Sequence, residues 1–143
     1  MRAFSAVLAI TLGLVVGLGA FTFVYGKGYA YLIDDPRSCT NCHVMRDNFD
    51  LWAVASHRTV TCNECHTPHG VRKYAAELRN GVMHSAVFTF RDVATIRIKR
   101  YNQEILQANC EDCHRLMVGV IQPAGAPRGS YCFTCHPGVG HGF

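Results

Sequence analysis

The fold of this chain is decided by a five-residue pattern that first occurs as Cys39-Thr40-Asn41-Cys42-His43 and then recurs three times. The later copies are CNECH at 62–66, CEDCH at 110–114 and CFTCH at 132–136. CxxCH is the attachment pattern of c-type haem, in which two thiols add to the vinyl groups and the adjacent imidazole lies beneath the iron. The sequence therefore predicts four covalent haem c groups, attached through Cys39, Cys42, Cys62, Cys65, Cys110, Cys113, Cys132 and Cys135.

Two other uses of paired cysteines compete with haem attachment. Four CxxC pairs could bind two zinc ions, or they could close four redox-active disulfides of the thioredoxin type. Neither chemistry requires a histidine after every second cysteine. With 8 histidines in 143 residues, four such neighbours arise by chance on the order of once in 10⁵ sequences, so the haem interpretation is favoured.

The spacing of the motifs predicts how the haems are grouped. From first cysteine to first cysteine the steps are 23, 48 and 22 residues, a short-long-short pattern that predicts two dihaem halves. Because four porphyrins share a segment of 117 residues, 27–143, they must form most of its core. We therefore expect a mainly α fold with much irregular structure.

Two helices and one loop are predicted outside the motifs. Ile98, Tyr101, Ile105 and Ala108 follow a helical spacing that runs into the third motif. A second helix is expected over Arg72–Met83. The Pro- and Gly-rich stretch 123–129 is expected to form a loop.

The N-terminal segment is predicted to be a membrane anchor. Ala3 to Gly26 contains no charged residue and is long enough to cross a bilayer as one helix. A cleaved signal peptide is the alternative, but the apolar run is longer than the usual core of such peptides, about 7–15 residues. The tyrosines at its end, such as Tyr31, suit the level of the lipid headgroups.

The orientation of the anchor follows from the haem prediction and not from the flanking charges. Arg2 and Lys27 give almost no charge asymmetry. Haem c is attached on the outer side of energy-transducing membranes. We therefore expect an anchor at 1–26 in the cytoplasmic (inner) membrane and a cytochrome c domain at 27–143 in the periplasm.

Composition excludes several other classes of protein. Hydrophobic residues make up 49% and charged residues 17% of the chain, which excludes a disordered protein. A net charge of +4 is too small to indicate a nucleic-acid partner. The basic run 97–100 is interpreted as a solvated face or as a partner for haem propionates.

Four histidines outside the motifs are candidates for the distal side of the irons. Closely packed haems usually recruit such residues, and we expect His57, between two motifs, and His141, in the Gly-rich tail, to be distal ligands. His69 directly follows a proline and is expected to be badly placed; His84 is considered below. On the proximal side the expected iron ligands are His66, His114 and His136.

The first motif differs from the others because it continues as His43-Val44-Met45. A thioether two residues beyond the histidine could compete with it for the iron, and a sulfur ligand would raise the potential of that haem relative to bis-histidine ligation. The alternative is that Met45 only packs against the porphyrin.

These features together resemble the NapC/NirT family of membrane-anchored, quinol-oxidising cytochromes. The resemblance rests on one N-terminal membrane helix, four CxxCH motifs and the segments CTNCHVM, CNECHTPH, RNGVMHS and GVGH. It implies that Met45 is a ligand of a first haem near the membrane surface, with its other side open beside a quinol pocket. It also implies that His57 and His141 are distal ligands of other haems.

The resemblance implies an activity and a set of partners as well. The chain would act as a quinol dehydrogenase that takes electrons from menaquinol in the membrane lipid and passes them to a periplasmic pentahaem nitrite reductase. That catalytic subunit would form ammonia and supply a lysine ligand to one haem, and this chain would not itself reduce nitrite.

Two alternatives to this activity remain. Within the family, the acceptor could be a nitrate or trimethylamine N-oxide reductase. Chains that serve those enzymes are usually longer and have a histidine between the last two motifs, whereas 115–131 has none. Outside the family, the chain could be a simple electron carrier without a quinol site.

Quinol oxidation requires a proton acceptor beside the head group, because two protons leave with the two electrons. By the resemblance, His84 occupies a position that holds an aspartate or a histidine in related chains, and its pKa suits proton transfer near neutral pH. Its alternatives are axial ligation and a structural hydrogen bond. Related chains often place a lysine near Glu77 to contact the quinol, and we expect Lys73 or Arg79 to replace it here.

Overall fold

The computed structural model describes residues 2–91, 96–121 and 130–141. Within these ranges the chain forms seven α-helices, three short 3-10 helices and no strand, which confirms the predicted mainly α fold. The α-helices are α1 (Arg2–Tyr25), α2 (Arg46–Val54), α3 (Cys62–His66), α4 (Arg72–Phe90), α5 (Arg100–Cys113), α6 (Arg115–Ile121) and α7 (Cys132–Cys135). The 3-10 helices are Gly28–Leu32, Pro36–Asn41 and His43–Met45.

Helix α1 is apolar on all sides and packs little of its surface against the rest of the protein. Its most apolar window of 18 residues has a mean hydropathy of 2.4, and none of the 24 residues of the helix is buried. At 1.5 Å per residue the helix is about 36 Å long, enough to cross a hydrocarbon core of about 30 Å. By length and composition, α1 can therefore cross a membrane.

The predicted helices are present, and one of them is longer than expected. Helix α5 begins at Arg100 and contains Tyr101, Ile105 and Ala108 of the periodic segment, whereas Ile98 lies before its start. Helix α4 begins at Arg72 as predicted but continues past Met83 to Phe90. The extra turns carry Phe88, which lines a cavity together with residues at the end of α1. The loop predicted at 123–129 lies outside the described residues.

Each haem motif is built on a short helix or at a helix end. The first spans two 3-10 helices, the second forms α3, the third ends α5 and the fourth forms α7. Helix α3 is stabilised at its start because the Glu64 carboxylate accepts a hydrogen bond of 2.8 Å from the backbone N–H of Thr61. This is one half of a capping box, which satisfies an N–H group that the helix itself cannot pair.

Consecutive motifs are neighbours in space. Helix α3 packs on both the 3-10 helix Pro36–Asn41 and α5, and α5 packs on α7. The buried Asn109 amide on α5 lies 2.8–3.1 Å from three carbonyl oxygens of 64–67. The Gln107 side chain accepts a hydrogen bond of 2.7 Å from the backbone N–H of Cys132. The two expected dihaem halves are thus joined through α3 and α5.

The protein has almost no hydrophobic core of its own. Among the described residues Ala76 is the one buried hydrophobic residue, while Thr67, Glu77 and Asn109 are buried polar residues. Large apolar side chains outside α1 remain exposed, as Val54 and Leu78 do at 79% and 69%. Folded domains normally bury such groups, so this polypeptide has the surface expected of a scaffold that wraps around large apolar groups.

Candidate functional site

The cysteine arrangement fits haem attachment better than its two alternatives. All eight cysteines are free and lie at half-buried or exposed positions. Across the described ranges there is no group of three or more His, Cys, Asp or Glu side chains that could hold a metal ion. Free thiols in pairs are what thioether formation requires, whereas a zinc site built from cysteines alone would gather two such pairs around one ion.

His66 and His141 face each other at a distance that suits one iron between them. Their ring centroids are 6.0 Å apart and their planes differ by 10°. Two imidazoles on opposite sides of a metal have centroids about 6 Å apart, because each metal–nitrogen bond is about 2 Å and each nitrogen lies about 1 Å from its ring centre. Burial, and secondarily the charge of His141, lowers the pKa of His66 to about 4, so it is in the neutral form that binds metals.

His57 and His114 form a second pair of the same kind. Their ring centroids are 5.9 Å apart and their planes differ by 60°. The C-terminal tail contacts this site as well, because the carbonyl of Val139 accepts hydrogen bonds of 3.3 Å from the backbone N–H of His57 and from the Ser56 hydroxyl. The same tail carries His141, so one segment helps to place both predicted distal histidines.

The first and fourth motifs lack such a histidine pair. Among the residues with described positions, neither His43 nor His136 has a second histidine ring beside it. Met45 ends the 3-10 helix His43–Met45 and is half-buried. The two ring pairs thus account for His66 and His114 and leave His43 and His136 without a histidine partner within the described ranges.

A cavity lies beside the first motif, where α1 ends. Its volume is about 150 Å³, and its polar lining residues include Lys27, Tyr31, Asn41 and His84, next to Cys42. A wider apolar cavity of about 660 Å³ shares three of its lining residues and runs between the last turns of α1 and the end of α4. The two cavities form a path from the flank of α1 to the first haem motif.

Tyr31 and His84 form a hydrogen-bonded pair in the smaller cavity. The Tyr31 hydroxyl lies 3.1 Å from His84 Nδ1, and the two ring centroids are 5.8 Å apart. Burial raises the pKa of Tyr31 to about 12, so its hydroxyl keeps its proton. Burial also lowers the pKa of His84 below its usual value, so the imidazole is neutral at pH 7 and can accept a proton.

A glycine allows this pair to form. A Cβ atom at Gly81 would lie 3.3 Å from the ring of Tyr31, closer than ordinary van der Waals contact. Gly81 lies one turn before His84 on α4, so the Tyr31 ring packs on the helix surface beside the imidazole.

The structure does not bring Lys73 or Arg79 to this cavity. Lys73 Nζ lies 2.6 Å from Asp34 Oδ1 and 3.8 Å from Glu77 Oε1. The Arg79 guanidinium lies 4.0 Å from the ring centre of Tyr101 on α5. The cation that does line the cavity is Lys27, which donates a hydrogen bond of 3.1 Å to Asn41 Oδ1.

His69 is held by hydrogen bonds at both ring nitrogens. Its Nδ1 lies 3.1 Å from Asp112 Oδ2 and its Nε2 lies 3.2 Å from the carbonyl oxygen of Glu64. The residue links the second motif to the end of α5. This position agrees with the expectation that His69 is not suited to distal ligation.

Sequence reasoning assigns no function at the site to Lys27, Tyr31 and Asn41. It interprets Tyr31 only as a residue at the level of the headgroups, and Lys27 only as a flanking charge. The one available signal is the GVMH segment of α4, in which Gly81 precedes His84 by three residues. A glycine at that spacing in a helix indicates close approach by another group.

Comparisons with known proteins agree on one family. The sequence profile described as the NapC/NirT cytochrome c family, N-terminal region, matches residues 1–117. The cytochrome c-type protein NrfH of Wolinella succinogenes is 34% identical over 144 residues, covering 89% of this chain and 81% of the relative. The cytochrome c nitrite reductase subunit NrfH of Nitratidesulfovibrio vulgaris is 29% identical over 140 residues, covering 92% of this chain and 79% of the relative.

A solved structure shares the fold. A chain from the crystal structure of the cytochrome c nitrite reductase NrfHA complex bound to the inhibitor HQNO aligns with a TM-score of 0.65 and 28% identity. The alignment covers 94% of this chain and 88% of the other.

Proposed function

This chain belongs to the NapC/NirT cytochrome c family, and on that premise we propose that it oxidises menaquinol and passes the electrons to a periplasmic nitrite reductase. Membership also makes it a membrane-anchored cytochrome with covalently bound haem, in agreement with α1 and the CxxCH motifs. We propose four haems, one for each of the four motifs. The haem count, the quinol and the acceptor are the parts of the proposal that experiments must test.

The observation that carries the quinol step is the cavity beside Cys42. It lies at the end of an apolar helix that can cross a membrane, it adjoins a wider apolar cavity, and it contains the Tyr31–His84 pair. A membrane quinol has an apolar tail and a polar head with two hydroxyl groups. The wider cavity suits the tail, and the smaller cavity suits the head.

The residues of the smaller cavity can bind the head group and accept its protons. Lys27 and Asn41 offer N–H donors to a quinol oxygen, and neutral His84 offers a base. The Tyr31 hydroxyl fixes the orientation of the His84 ring. Covalently bound haem would supply reversible one-electron transfer beside this site.

The proposed iron ligands follow the histidine geometry. His66 and His141 serve the haem of the second motif, and His57 and His114 serve that of the third. Met45 is the proposed ligand at the first motif, with His43 as the alternative. The fourth motif supplies His136, and its distal ligand would be a lysine of the partner enzyme.

The proposed partner follows from the relatives. One of them is a subunit of cytochrome c nitrite reductase, and the aligned structure is an NrfHA complex. The catalytic chemistry on nitrite would belong to the partner, which forms ammonia. The domain 27–143 would lie in the periplasm and the anchor 1–26 in the inner membrane.

Reduction of the purified protein by a menaquinol analogue in detergent tests the quinol step. After the menaquinol analogue is added, we expect the absorption bands of the oxidised haems to be replaced by those of the reduced haems. We expect HQNO to slow this reduction. Dithionite serves as the control, because it reduces haem without a quinol site. If dithionite reduces the haems but the quinol does not, the protein is a simple electron carrier and the proposal is wrong.

Isolation of the native complex tests the acceptor. We expect a pentahaem cytochrome to copurify with this chain in mild detergent and to form ammonia from nitrite when menaquinol is added. Copurification of a nitrate or trimethylamine N-oxide reductase would assign the chain to the other branch of its family.

A further inference from the structure

Glu77 is a buried carboxyl group whose second oxygen has no partner. The side chain is 2% exposed. Its Oε1 accepts a hydrogen bond of 3.3 Å from Asn63 Nδ2, and its Oε2 is buried without a hydrogen bond. An ionised carboxyl buried in this state lowers the stability of the fold, and protonation reduces that cost. Such a group in a folded protein therefore suggests a functional role.

The position of Glu77 connects it to the quinol cavity. Glu77, Gly81 and His84 are spaced i, i+4 and i+7 on α4, so they lie on one face of the helix. Glu77 and His84 are about 10 Å apart along the helix axis. The Tyr31 ring packs on Gly81 between them, so proton transfer from the imidazole to the carboxyl requires bridging water molecules.

On its other side Glu77 adjoins a polar group at the surface. Asn63 Nδ2, which bonds Glu77, also donates to Asp34 Oδ1 at 2.9 Å. Lys73 Nζ lies 3.8 Å from Glu77 Oε1 and contacts both oxygens of Asp34 at 2.5–2.6 Å. The Asp34 side chain is 51% exposed. Asp34 therefore has access to water, whereas Glu77 does not.

The surroundings of Glu77 favour the protonated form of its carboxyl group. The groups that face it are Lys73 on α4, Asp34 before the first motif and the uncharged Asn63 on α3. Burial raises the pKa of Glu77, and the negative charge of Asp34 adds to this while Lys73 opposes it. The hydrogen bond from Lys73 lowers the pKa of Asp34. Glu77 thus binds a proton more readily than an ordinary carboxyl, and the ionised Asp34 lies between it and the solvent.

We propose that Glu77 is a proton relay between the quinol cavity and water, with the Asp34–Lys73 ion pair as its exit. The inference rests on the proposed quinol oxidation. Each quinol would become a quinone by losing two electrons, which reduce two ferric haems in turn, and two protons. His84 accepts the two protons one after the other, one with each electron transferred, and passes each through water to the Glu77 carboxylate. The carboxylic acid formed each time releases its proton to solvent at Asp34 before the next proton arrives.

The substitution Glu77→Gln tests the relay because it keeps the shape and removes the titration. The matched control is Glu104→Gln on α5, a 56%-exposed glutamate that pairs with Arg100 and lies outside the cavity. We expect Glu77→Gln to lower kcat for menaquinol oxidation about 10-fold or more, within the range of general acid–base catalysis, and to leave KM unchanged. Reduction by dithionite should be unaffected, and Glu104→Gln should behave as wild type.

A second readout does not depend on turnover. Infrared difference spectra between low and high pH should contain the C=O band of a protonated carboxylic acid in the wild type and in Glu104→Gln. We expect this band to be lost in Glu77→Gln. A purely structural Glu77 would instead change haem content or thermal stability without changing the pH profile of quinol oxidation.

The outcomes separate the relay from the proposed function. If wild type oxidises menaquinol and Glu77→Gln does so at the same rate and with the same pH profile, the relay is wrong. If wild type itself does not oxidise menaquinol, the proposed function is wrong, and the relay that rests on it is overturned as well. If Glu77→Gln fails to load haem, Asp34→Asn tests the exit, and an unchanged kcat in that variant overturns the route.

Discussion

At the residue scale, the two candidate distal histidines each lie beside a motif histidine, His57 beside His114 and His141 beside His66. The CxxCH pattern fixes the motif histidines, and position in the chain indicates His57 and His141 as distal ligands. Which of them faces which motif depends on the tail, where the Val139 carbonyl bonds the His57 backbone and brings His141 to His66. That contact joins distant parts of the chain, so no local pattern encodes it.

Replacing the distal histidines tests the proposed ligand pairs. We expect His141→Ala and His57→Ala each to convert one low-spin, six-coordinate haem to a high-spin form, because each removes one axial ligand. Electron paramagnetic resonance of the oxidised protein measures this change. His69→Ala is the control, since both His69 nitrogens are hydrogen-bonded to protein oxygens. Unchanged low-spin signals in His141→Ala and His57→Ala would contradict the assignment.

The pH dependence of quinol oxidation tests His84. Because its pKa is lowered by burial, the imidazole is neutral at pH 7 and becomes charged only when the pH falls below the usual histidine range, around pH 6.5. We therefore expect the wild-type rate to hold down to that range and to fall at lower pH as His84 takes up a proton. His84→Gln should be slower at neutral pH by about 10²-fold and should lack this acidic limb.

The control for His84 is a conservative change elsewhere on the same helix. Tyr74→Phe alters a 64%-exposed side chain on α4 and should retain the wild-type profile. A His84→Gln protein with the wild-type rate and acidic limb would remove His84 from the proton path.

At the element scale, helix α5 organises the haem motifs through two polar side chains. Asn109 contacts the second motif and Gln107 contacts the fourth, while the third forms the end of α5 itself. The apolar periodicity predicts α5 but does not reveal these contacts, because it reports which face is buried and not which polar groups are paired. The sequence does not predict the full length of α4 for a related reason, since its last turns line the wider cavity together with the end of α1, a long-range arrangement that local periodicity does not report.

Loss of the Asn109 amide should destabilise the packing of α3 on α5. Asn109→Ala leaves buried carbonyl oxygens of 64–67 without a donor, and we expect it to lower the free energy of unfolding by about 1–3 kcal/mol. Denaturant titration followed by haem absorbance measures this loss. Glu104→Ala, an exposed change on the same helix, should cost less than about 0.5 kcal/mol. Equal midpoints for the two variants would show that Asn109 does not hold the motifs together.

At the scale of the whole molecule, the anchor is part of the candidate site. Sequence predicts α1 as a membrane helix from its length and lack of charge, and the structure adds that residues within 18–26 line the path to the first motif. Hydropathy cannot reveal this second role, because the hydropathy of a helix depends only on its own residues and not on the groups that lie next to it. The anchor and the haem domain are therefore expected to act as one unit.

Replacing α1 with a cleavable signal peptide tests whether quinol oxidation requires the anchor as well as the haem domain. We expect the resulting soluble protein to load its haems and to be reduced by dithionite, because the motifs lie outside α1. It should not oxidise a menaquinol analogue, since one wall of the path is gone. Retention of the wild-type rate by the soluble form would show that the quinol site does not include α1.

The near lack of a hydrophobic core among the described residues affects when the newly synthesised chain can fold. With Ala76 as the one buried hydrophobic residue in the described ranges, we expect a newly synthesised chain without haem to have little to collapse around and to remain unfolded. Such a chain suits export, because threading through a translocation channel requires an unfolded substrate. Folding then begins where the haems are attached, so the compartment that supplies the haem also determines where this protein acquires its shape.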